Sequence, residues 1–232
     1  MKVSVVIPAA GQGKRMQSET NKQFLELKGK EVLARTLEKF ELDMIDEVIV
    51  VTGEDDIKYC QKEIVDKYNF TKVKKVVAGG KTRQNSVYNG LKEVAKDSDI
   101  VMIHDGVRPF VNLGMIKRTL KEVKNYEAVA VGVSVKDTIK VTNKDNIIIN
   151  TPDRSKLVAV HTPQVFKKDL IIKAYQEALA DNYIGTDSSS LVEKMNKAVK
   201  VINSSYKNIK ITTPDDLLVA EKIIMNGDDL KC

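Results

Sequence analysis

Short apolar runs alternate with amphipathic segments along the first part of the chain. The apolar runs are rich in β-branched residues and lie at residues 3–7, 46–52, 72–78, 99–105 and 127–135. Their length and composition predict buried strands. Between them, apolar residues recur at the spacing of a helix that buries one face. Strands that alternate with helices in this way predict an α/β fold built on a doubly wound, mostly parallel sheet.

The pattern changes at residue 136. Residues 136–157 contain two short β-branched runs on either side of an Asn-Lys-Asp-Asn turn at 143–146, which is the pattern of a β-hairpin. Two strands alone are marginally stable, so a hairpin needs something to pack on. We expect a protruding β-arm that reaches a second subunit. A hairpin folded back on its own domain is the alternative.

The remaining segments return to the α/β pattern. Residues 158–166 predict a strand of the main sheet with a break at Pro163, and the segment that begins at Asn208 predicts a last strand. A helix over residues 214–225 follows, with N-cap residues before it. No repeat or linker interrupts the chain. We therefore expect one domain over residues 1–225, with residues 226–232 as a C-terminal tail.

Three loops with Gly or Pro follow three of the predicted strands, at residues 8–15, 79–86 and 104–109. The carboxyl ends of parallel strands share one edge of a sheet, so these loops should converge there. In the first loop, small residues let backbone N–H groups approach an anion, and Lys14 and Arg15 add positive charge. This predicts a nucleotide phosphate site. The alternative is a tight strand-to-helix turn with solvated lysines.

Motif details narrow the class of enzyme. The first loop lacks the third glycine of the dinucleotide fingerprint and the Gly-Lys-Ser/Thr ending of a P-loop. These absences argue against a hydride-transfer enzyme and an ordinary ATPase. Arginine is rare in this lysine-rich chain, and four of its six arginines lie in loops, which suits a forked donor that grips phosphate. Those four are Arg15, Arg83, Arg108 and Arg154.

Composition excludes other classes. The chain has 232 residues and a net charge of +6, but its lysines often lie beside glutamates on helices, so solvated faces explain the charge better than nucleic-acid binding. No apolar run has membrane-spanning length, and the N-terminus has no signal-peptide pattern. Cys60 and Cys232 belong to no metal motif, and His104 and His161 are too few for a histidine-built metal centre. A cytoplasmic protein is expected.

Nine segments along the chain carry a family resemblance. In order they are PAAGQGKRM at 8–16, NKQF at 21–24, GGKTRQNSV at 79–87, HDGVRP at 104–109, DTIK at 137–140, DR at 153–154, TPQVF at 162–166, GTD at 185–187 and NIKITTPDDL at 208–217. Together they closely resemble the 2-C-methyl-D-erythritol 4-phosphate cytidylyltransferase family of the non-mevalonate isoprenoid pathway. The resemblance runs from Val3 to about Ile224.

The resemblance implies a Rossmann-like nucleotidyltransferase and a reaction. The phosphate of methylerythritol phosphate attacks the α-phosphorus of CTP, which releases pyrophosphate and gives the cytidine diphosphate alcohol. Arg15 and Lys22 should hold the triphosphate and neutralise charge on the α-phosphate, and Arg154 and Lys210 should orient the incoming phosphate. These four are the expected catalytic residues. Arg154 lies beside the predicted arm, so a homodimer would complete the active site.

The resemblance also implies binding residues. Those expected to bind CTP are Pro8, Ala9, Ala10, Gly11, Gly13, Lys14, Gly79, Gly80, Ser86 and Asp105. Thr138 and Thr186 should contact the polyol phosphate with Arg154 and Lys210. Mg²⁺ should bridge the phosphates, held mainly by phosphate and water oxygens, with Asp105 as the nearby carboxylate. Asp105 as a helix N-cap, Gly79-Gly80 as a plain turn and Ser86 as a helix-surface residue are the alternatives.

Some features depart from the family or fit other functions. Relatives often read Thr-Asp-Asp-Ala-Ser where this chain has Thr-Asp-Ser-Ser-Ser at 186–190, and Ala-Ala where it has Gly106-Val107. Cytidylyltransferases for other polyol phosphates, such as ribitol 5-phosphate, resemble part of the chain and are the runner-up. A non-catalytic nucleotide-binding regulator and a nucleic-acid binder rank lower. Arg108 is expected to anchor a loop, and His104 to satisfy its hydrogen bonds inside the sheet edge.

Overall fold

The computed structural model describes residues 1–11, 16 and 21–227. Its strands are β1 (Val3–Pro8), β2 (Glu47–Thr52), β3 (Val73–Ala78), β4 (Ile100–Ile103), β5 (Ala128–Ser134), β6 (Val141–Thr142), β7 (Ile148–Asn150), β8 (Val158–Lys167) and β9 (Lys200–Asn203). Its helices are α1 (Val32–Glu38), α2 (Ile57–Tyr59), which continues as a π-helical segment over Cys60–Asp66, α3 (Arg83–Lys92), α4 (Leu113–Tyr126), α5 (Lys168–Ala180), α6 (Ser188–Lys194) and α7 (Pro214–Met225).

Seven of the strands form one sheet, in the order β3-β2-β1-β4-β8-β5-β9. All neighbouring pairs are parallel except those that β8 makes with β4 and β5, which are antiparallel. The predicted doubly wound, mostly parallel sheet is therefore confirmed. Because β1 lies between β2 and β4 in the interior of the sheet, the loop that follows it opens near the centre of the carboxyl edge.

Both faces of the sheet are covered. Val5 and Val6 point to opposite faces of β1, and neither is exposed to solvent. On the face of Val5, the core includes Leu37 of α1 and Ile116 of α4. On the face of Val6, it includes Leu91 of α3 and residues of α5 and α6. A strand with helices on both faces needs apolar residues at successive positions, which explains the continuous run at residues 3–7.

One prediction for the C-terminal part is confirmed and another is wrong. β8 extends past Pro163, but its pairing breaks there as predicted, because Ala130 of β5 faces Gln164 and Val131 faces His161, so the register skips Thr162 and Pro163. The segment after Asn208 forms no regular strand. It is held to loops, because the Ile211 N–H donates to the Val107 carbonyl at 2.9 Å. The helix expected over residues 214–225 is present, with Thr213 as its N-cap.

The predicted hairpin is present as a separate sheet of β6 and β7. Residues 136–151 are exposed throughout. They include several large apolar side chains, namely Ile139, Val141, Ile147, Ile148 and Ile149. In the described residues of one chain, the hairpin therefore leaves apolar surface open to solvent. None of the helices in that described part has the length and apolar character needed to cross a bilayer.

Candidate active site

A cavity of about 560 Å³ opens at the carboxyl edge of the sheet. It is lined by Pro8, Ala9, Ala10, Gly11, Lys22, Gln23, Gly80, Lys81, Thr82, Arg83, Ser86, Asp105, Val107 and Lys210. The lining comes from the loops after β1, β3 and β4, with Lys210 from the segment after β9, so the convergence predicted from the sequence is confirmed. Most of the expected CTP-binding residues therefore meet in one place. Gly13, Lys14 and Arg15 lie outside the described residues.

The loop after β3 forms one wall of the cavity. The Gly80 N–H donates to the Ser86 hydroxyl at 3.0 Å, and that hydroxyl donates to the Thr82 carbonyl at 2.9 Å. Ser86 is buried, so the helix-surface alternative is wrong. A Cβ at Gly79 would lie 2.4 Å from the Ala10 Cβ, which means that the loops after β1 and β3 touch only because residue 79 is glycine. Gly79 thus packs behind the wall and Gly80 faces the cavity.

Asp105 is the centre of a buried charge cluster. Its Oδ1 lies 2.9 Å from Arg83 Nη2, and its Oδ2 lies 2.9 Å from Lys210 Nζ and 3.6 Å from Arg108 Nε. Its backbone N–H donates to the Thr162 hydroxyl at 3.0 Å. The N-cap alternative for Asp105 is wrong, because the following helix, α4, begins at Leu113 and is capped by Asn112. We call these four residues, Arg83, Asp105, Arg108 and Lys210, the Asp105 cluster.

The cluster keeps Asp105 ionised and carries an excess of positive charge. Burial acts to raise the pKa of Asp105, but the nearby Arg83, Lys210 and Arg108 outweigh it and hold that pKa well below its usual range. Three cations around one carboxylate leave the edge of the cavity attractive to anions. Arg108 also donates from Nη1 to the Asn208 carbonyl at 2.7 Å, which is the loop-anchor contact expected for it.

His104 is buried beneath the cluster and is not a free base. Its Nε2 lies 3.0 Å from the Arg108 carbonyl, and its Nδ1 lies 3.2 Å from the Thr162 hydroxyl. A carbonyl only accepts, so Nε2 carries the proton and Nδ1 accepts from Thr162. Burial lowers the pKa of His104 to about 4, so the ring is neutral at pH 7. The expectation that His104 satisfies its hydrogen bonds inside the sheet edge is confirmed.

Three of the expected substrate-binding residues do not line the cavity of the single chain. Arg154 lies in an exposed 3₁₀ turn, where Nη1 donates to the Lys136 carbonyl at 2.7 Å, and Thr138 is exposed at the base of the hairpin. Thr186 precedes Asp187, the N-cap of α6. Only Lys210 of this expected group reaches the cavity.

The Thr-Asp-Ser-Ser-Ser segment at 186–190, which departs from the family pattern, fits the local packing and caps α6. Ser188 is fully buried, and its hydroxyl lies 2.9 Å from the Tyr175 hydroxyl. Ser190 and Asp187 form a reciprocal capping box, and Ser189 donates to the Asp187 carboxylate. A carboxylate at position 188 would be buried against Tyr175, so serine suits this packing.

Several residues that line the cavity are not among those expected from the sequence, namely Gln23, Lys81, Thr82, Arg83 and Val107. For Arg83 a signal existed, because it is one of the four loop arginines. For Gln23 and Thr82 the sequence offered only their places in the family segments at 21–24 and 79–87. Gln23 follows Lys22 in a 3₁₀ turn, Lys22–Phe24, whose Phe24 ring packs edge-on against Tyr59 with centroids 4.9 Å apart. Thr82 is the N-cap of α3.

A doubly wound sheet with a glycine-walled cavity and clustered cations at its central carboxyl edge is the architecture of a nucleotide-binding enzyme. Sequence comparison agrees with this class. The model of the 2-C-methyl-D-erythritol 4-phosphate cytidylyltransferase family matches residues 3–226, and the chain belongs to that family. It is therefore a nucleotidyltransferase enzyme.

Individual relatives agree with the family. A 2-C-methyl-D-erythritol 4-phosphate cytidylyltransferase from Caldanaerobacter subterraneus is 51% identical over 95% of this chain and 98% of its own. The crystal structure of a 4-diphosphocytidyl-2C-methyl-D-erythritol synthase from Anaerococcus prevotii matches with a TM-score of 0.86 at 35% identity, over 97% of this chain and 96% of that one. A Francisella tularensis 2-C-methyl-D-erythritol 4-phosphate cytidylyltransferase matches with a TM-score of 0.80 at 32% identity, over 96% and 99% of the two chains.

Proposed function

We propose that this chain transfers the cytidylyl group of CTP to 2-C-methyl-D-erythritol 4-phosphate, with release of pyrophosphate and formation of 4-diphosphocytidyl-2-C-methyl-D-erythritol. The observation that carries this proposal is the charge of the cavity. Its lining holds four cations, Lys22, Lys81, Arg83 and Lys210, against one carboxylate, Asp105. Both substrates are phosphorylated, so the cavity suits two anions that must be brought together.

The chemistry needs little from a side chain beyond charge and position. A phosphate oxygen of the alcohol is already anionic at neutral pH, so it attacks the α-phosphorus without a general base. The buried histidine fits this requirement, because His104 is neutral and both of its ring nitrogens are engaged. The rate enhancement therefore comes from holding the two phosphates in line and neutralising the charge that grows on the α-phosphate.

The nucleotide half of the site lies within one chain. The backbone of residues 8–11 and the wall built by Gly79, Gly80 and Ser86 hold the cytidine, which is supported by the close approach of the two loops. Lys22 holds the triphosphate. We assign Gly13, Lys14 and Arg15 to the same triphosphate from the family motif, since they lie outside the described residues.

The polyol-phosphate half draws on Lys210, Arg154, Thr138 and Thr186. Lys210 reaches the cavity and is oriented by its ion pair with Asp105. Arg154 and Thr138 lie on the exposed hairpin segment, whose isoleucines are uncovered in one chain. We propose that residues 136–157 form an arm that pairs two chains as a homodimer and carries Arg154 into the partner's cavity.

Mg²⁺ fits this site as an ion carried by the substrate phosphates. Among the described residues, no three His, Cys, Asp or Glu side chains come together as a ligand set. Asp105 is the one carboxylate of the lining, and both of its oxygens are paired with cations. The ion would therefore rest mainly on phosphate and water oxygens, near Asp105, and would supply further neutralisation of the triphosphate.

We also propose that residues 1–225 act as one domain and that the enzyme works in the cytoplasm.

The proposal is tested by pyrophosphate release. The purified enzyme is given CTP, ATP, GTP or UTP, each with Mg²⁺ and with either methylerythritol phosphate or ribitol 5-phosphate. We expect release only with CTP and methylerythritol phosphate. Turnover with ribitol 5-phosphate alone would make the runner-up correct. CTP binding with no turnover on either alcohol would favour the non-catalytic regulator.

A further inference from the structure

One buried glutamine of the cavity has no internal partner for its side chain. Gln23 is only 1% exposed, yet neither its Nε2 nor its Oε1 makes a hydrogen bond within the part of the chain that the structure describes. Buried amides are nearly always paired, because an unpaired donor or acceptor forfeits its hydration without compensation. An unpaired amide therefore needs an explanation.

Two other buried glutamines of this chain have both polar atoms of the amide hydrogen-bonded. Gln164 is also 1% exposed, and its Nε2 donates to Asp187 Oδ2 at 2.6 Å while its Oε1 accepts from the Ser189 N–H at 3.2 Å. Gln84 likewise donates to the Tyr183 carbonyl and accepts from the Gly185 N–H, each at 3.0 Å. Gln23 is the exception among the three, and it is the one that lines the cavity.

The turn that carries Gln23 is held in place from outside the cavity. Phe24 is buried against Tyr59, and Asn21 Nδ2 donates to Asp56 Oδ2 at 2.9 Å. These contacts fix the backbone on both sides of Gln23 while its amide stays unpaired. An amide left unpaired in this way costs the free protein stability, and because both of its polar atoms are covered, its side chain must turn towards the cavity to meet a ligand.

We propose that Gln23 is a nucleotide-binding residue whose Nε2–H donates to a phosphate oxygen of bound CTP. This inference rests on the proposed function. A phosphate suits the position because Gln23 adjoins Lys22 and because cations outnumber carboxylates in the lining. A neutral amide adds a directed hydrogen bond to the attraction of these cations without adding charge.

The test compares stability and binding in the same variants. Gln23→Met keeps the length of the side chain and removes the unpaired polar atoms, so the urea midpoint of the free enzyme should rise. Its Kd for CTP, measured by calorimetry without the alcohol, should weaken about tenfold, as expected for a lost hydrogen bond to a charged group. The KM for methylerythritol phosphate should not change.

Two further variants keep the test decisive. Gln23→Glu is equally long but places a carboxylate beside the triphosphate, so it should weaken CTP binding more than Gln23→Met does. Gln164→Met is the matched control for stability, and its urea midpoint should fall because it removes one hydrogen bond to Asp187 Oδ2 and the acceptor of the buried Ser189 N–H.

The outcomes separate this inference from the proposed function. If the wild-type enzyme turns over CTP but Gln23→Met binds CTP with unchanged Kd, the role of Gln23 is wrong and the proposed function stands. A fall in the urea midpoint of Gln23→Met, like that of Gln164→Met, would show a structural amide and would also overturn the inference. If the wild-type enzyme binds no CTP, the proposed function itself fails.

Discussion

The Asp105 cluster pairs its charged side chains around a buried carboxylate, whereas the hairpin exposes its apolar side chains to solvent. In the cluster, a buried carboxylate is surrounded by Arg83, Lys210 and Arg108, and each charged group has a partner inside the same chain. In the hairpin, residues 136–151 are all exposed, and Ile148 and Ile149 present more than half of their surface to solvent. The charged groups of the cluster are paired within one chain, whereas the apolar side chains of the hairpin are uncovered in one chain.

The difference supports the proposed homodimer, in which the two substrates would bind to different parts of the assembly. Burying one isoleucine stabilises an association by roughly 1.5–3 kcal/mol, so the exposed isoleucines of the hairpin offer enough free energy to hold a partner. The same segment carries Thr138 and Arg154, which the resemblance assigns to the second substrate. The nucleotide would then bind to one chain, while the alcohol phosphate would bind between two.

The largest expected effect concerns the nucleotide site, whose residues lie within one chain. We predict that Lys22→Ala lowers turnover at least about a hundredfold, because one cation fewer stabilises the charge that develops on the α-phosphate. Arg15→Ala should act in the same way. The measurement is pyrophosphate release at saturating substrates, with circular dichroism and thermal melting to verify the fold. Lys58→Ala, an exposed lysine on α2, is the control and should keep wild-type turnover. Near-normal rates in purified Lys22→Ala would remove the catalytic assignment.

The division between subunits makes a second prediction of intermediate size. Lys22→Ala and Arg154→Ala should each be nearly inactive alone. If Arg154 acts in the partner's cavity, a mixed dimer has one site with both wild-type residues and one site with neither. Denaturing and refolding an equal mixture should therefore restore activity in about a quarter of all sites. The measurement is turnover of the mixture against each variant refolded alone.

Two results would contradict this arrangement. An equal mixture that stays as inactive as its components would mean that Arg154 serves its own chain. A variant lacking residues 137–149 provides the matching control by light scattering. It should have the mass of a monomer, and retention of the native dimer mass would show that the arm does not assemble subunits.

The sequence predicted the strands and the convergence of their loops because both follow from local patterns. The run at residues 3–7 is short and rich in β-branched residues, which favours a strand buried on two faces, and parallel strands bring their carboxyl ends to one edge. The partners of Asp105 could not be predicted in the same way. Arg83 and Lys210 are 22 and 105 positions from it in the chain, and their meeting depends on how the loops pack. The unpaired amide of Gln23 is likewise a property of the packed structure.

The smallest predicted effect concerns the packing beneath the Asp105 cluster, where this chain has Gly106 and relatives often have alanine. A Cβ at Gly106 would lie 3.0 Å from the Ala9 Cβ, 3.1 Å from Leu33 Cδ1 and 3.2 Å from Ile7 Cγ2. All three atoms belong to buried groups, so they must shift to admit a methyl group. We predict that Gly106→Ala lowers the free energy of unfolding by about 1–3 kcal/mol.

A glycine on α4 gives the opposite expectation and serves as the matched control. A Cβ at Gly114 would meet only Arg118 Nη1 and Asn112 Oδ1, each at 3.6 Å, which is ordinary contact with polar side-chain ends. Gly114→Ala should therefore raise the free energy of unfolding by about 0.4–1 kcal/mol, because alanine loses less backbone entropy on folding. Urea unfolding of both variants checks the difference in sign. A higher free energy of unfolding for Gly106→Ala would mean that Ala9 and Leu33 move apart at little cost. The packing around Gly106 would then yield more easily than its close contacts indicate.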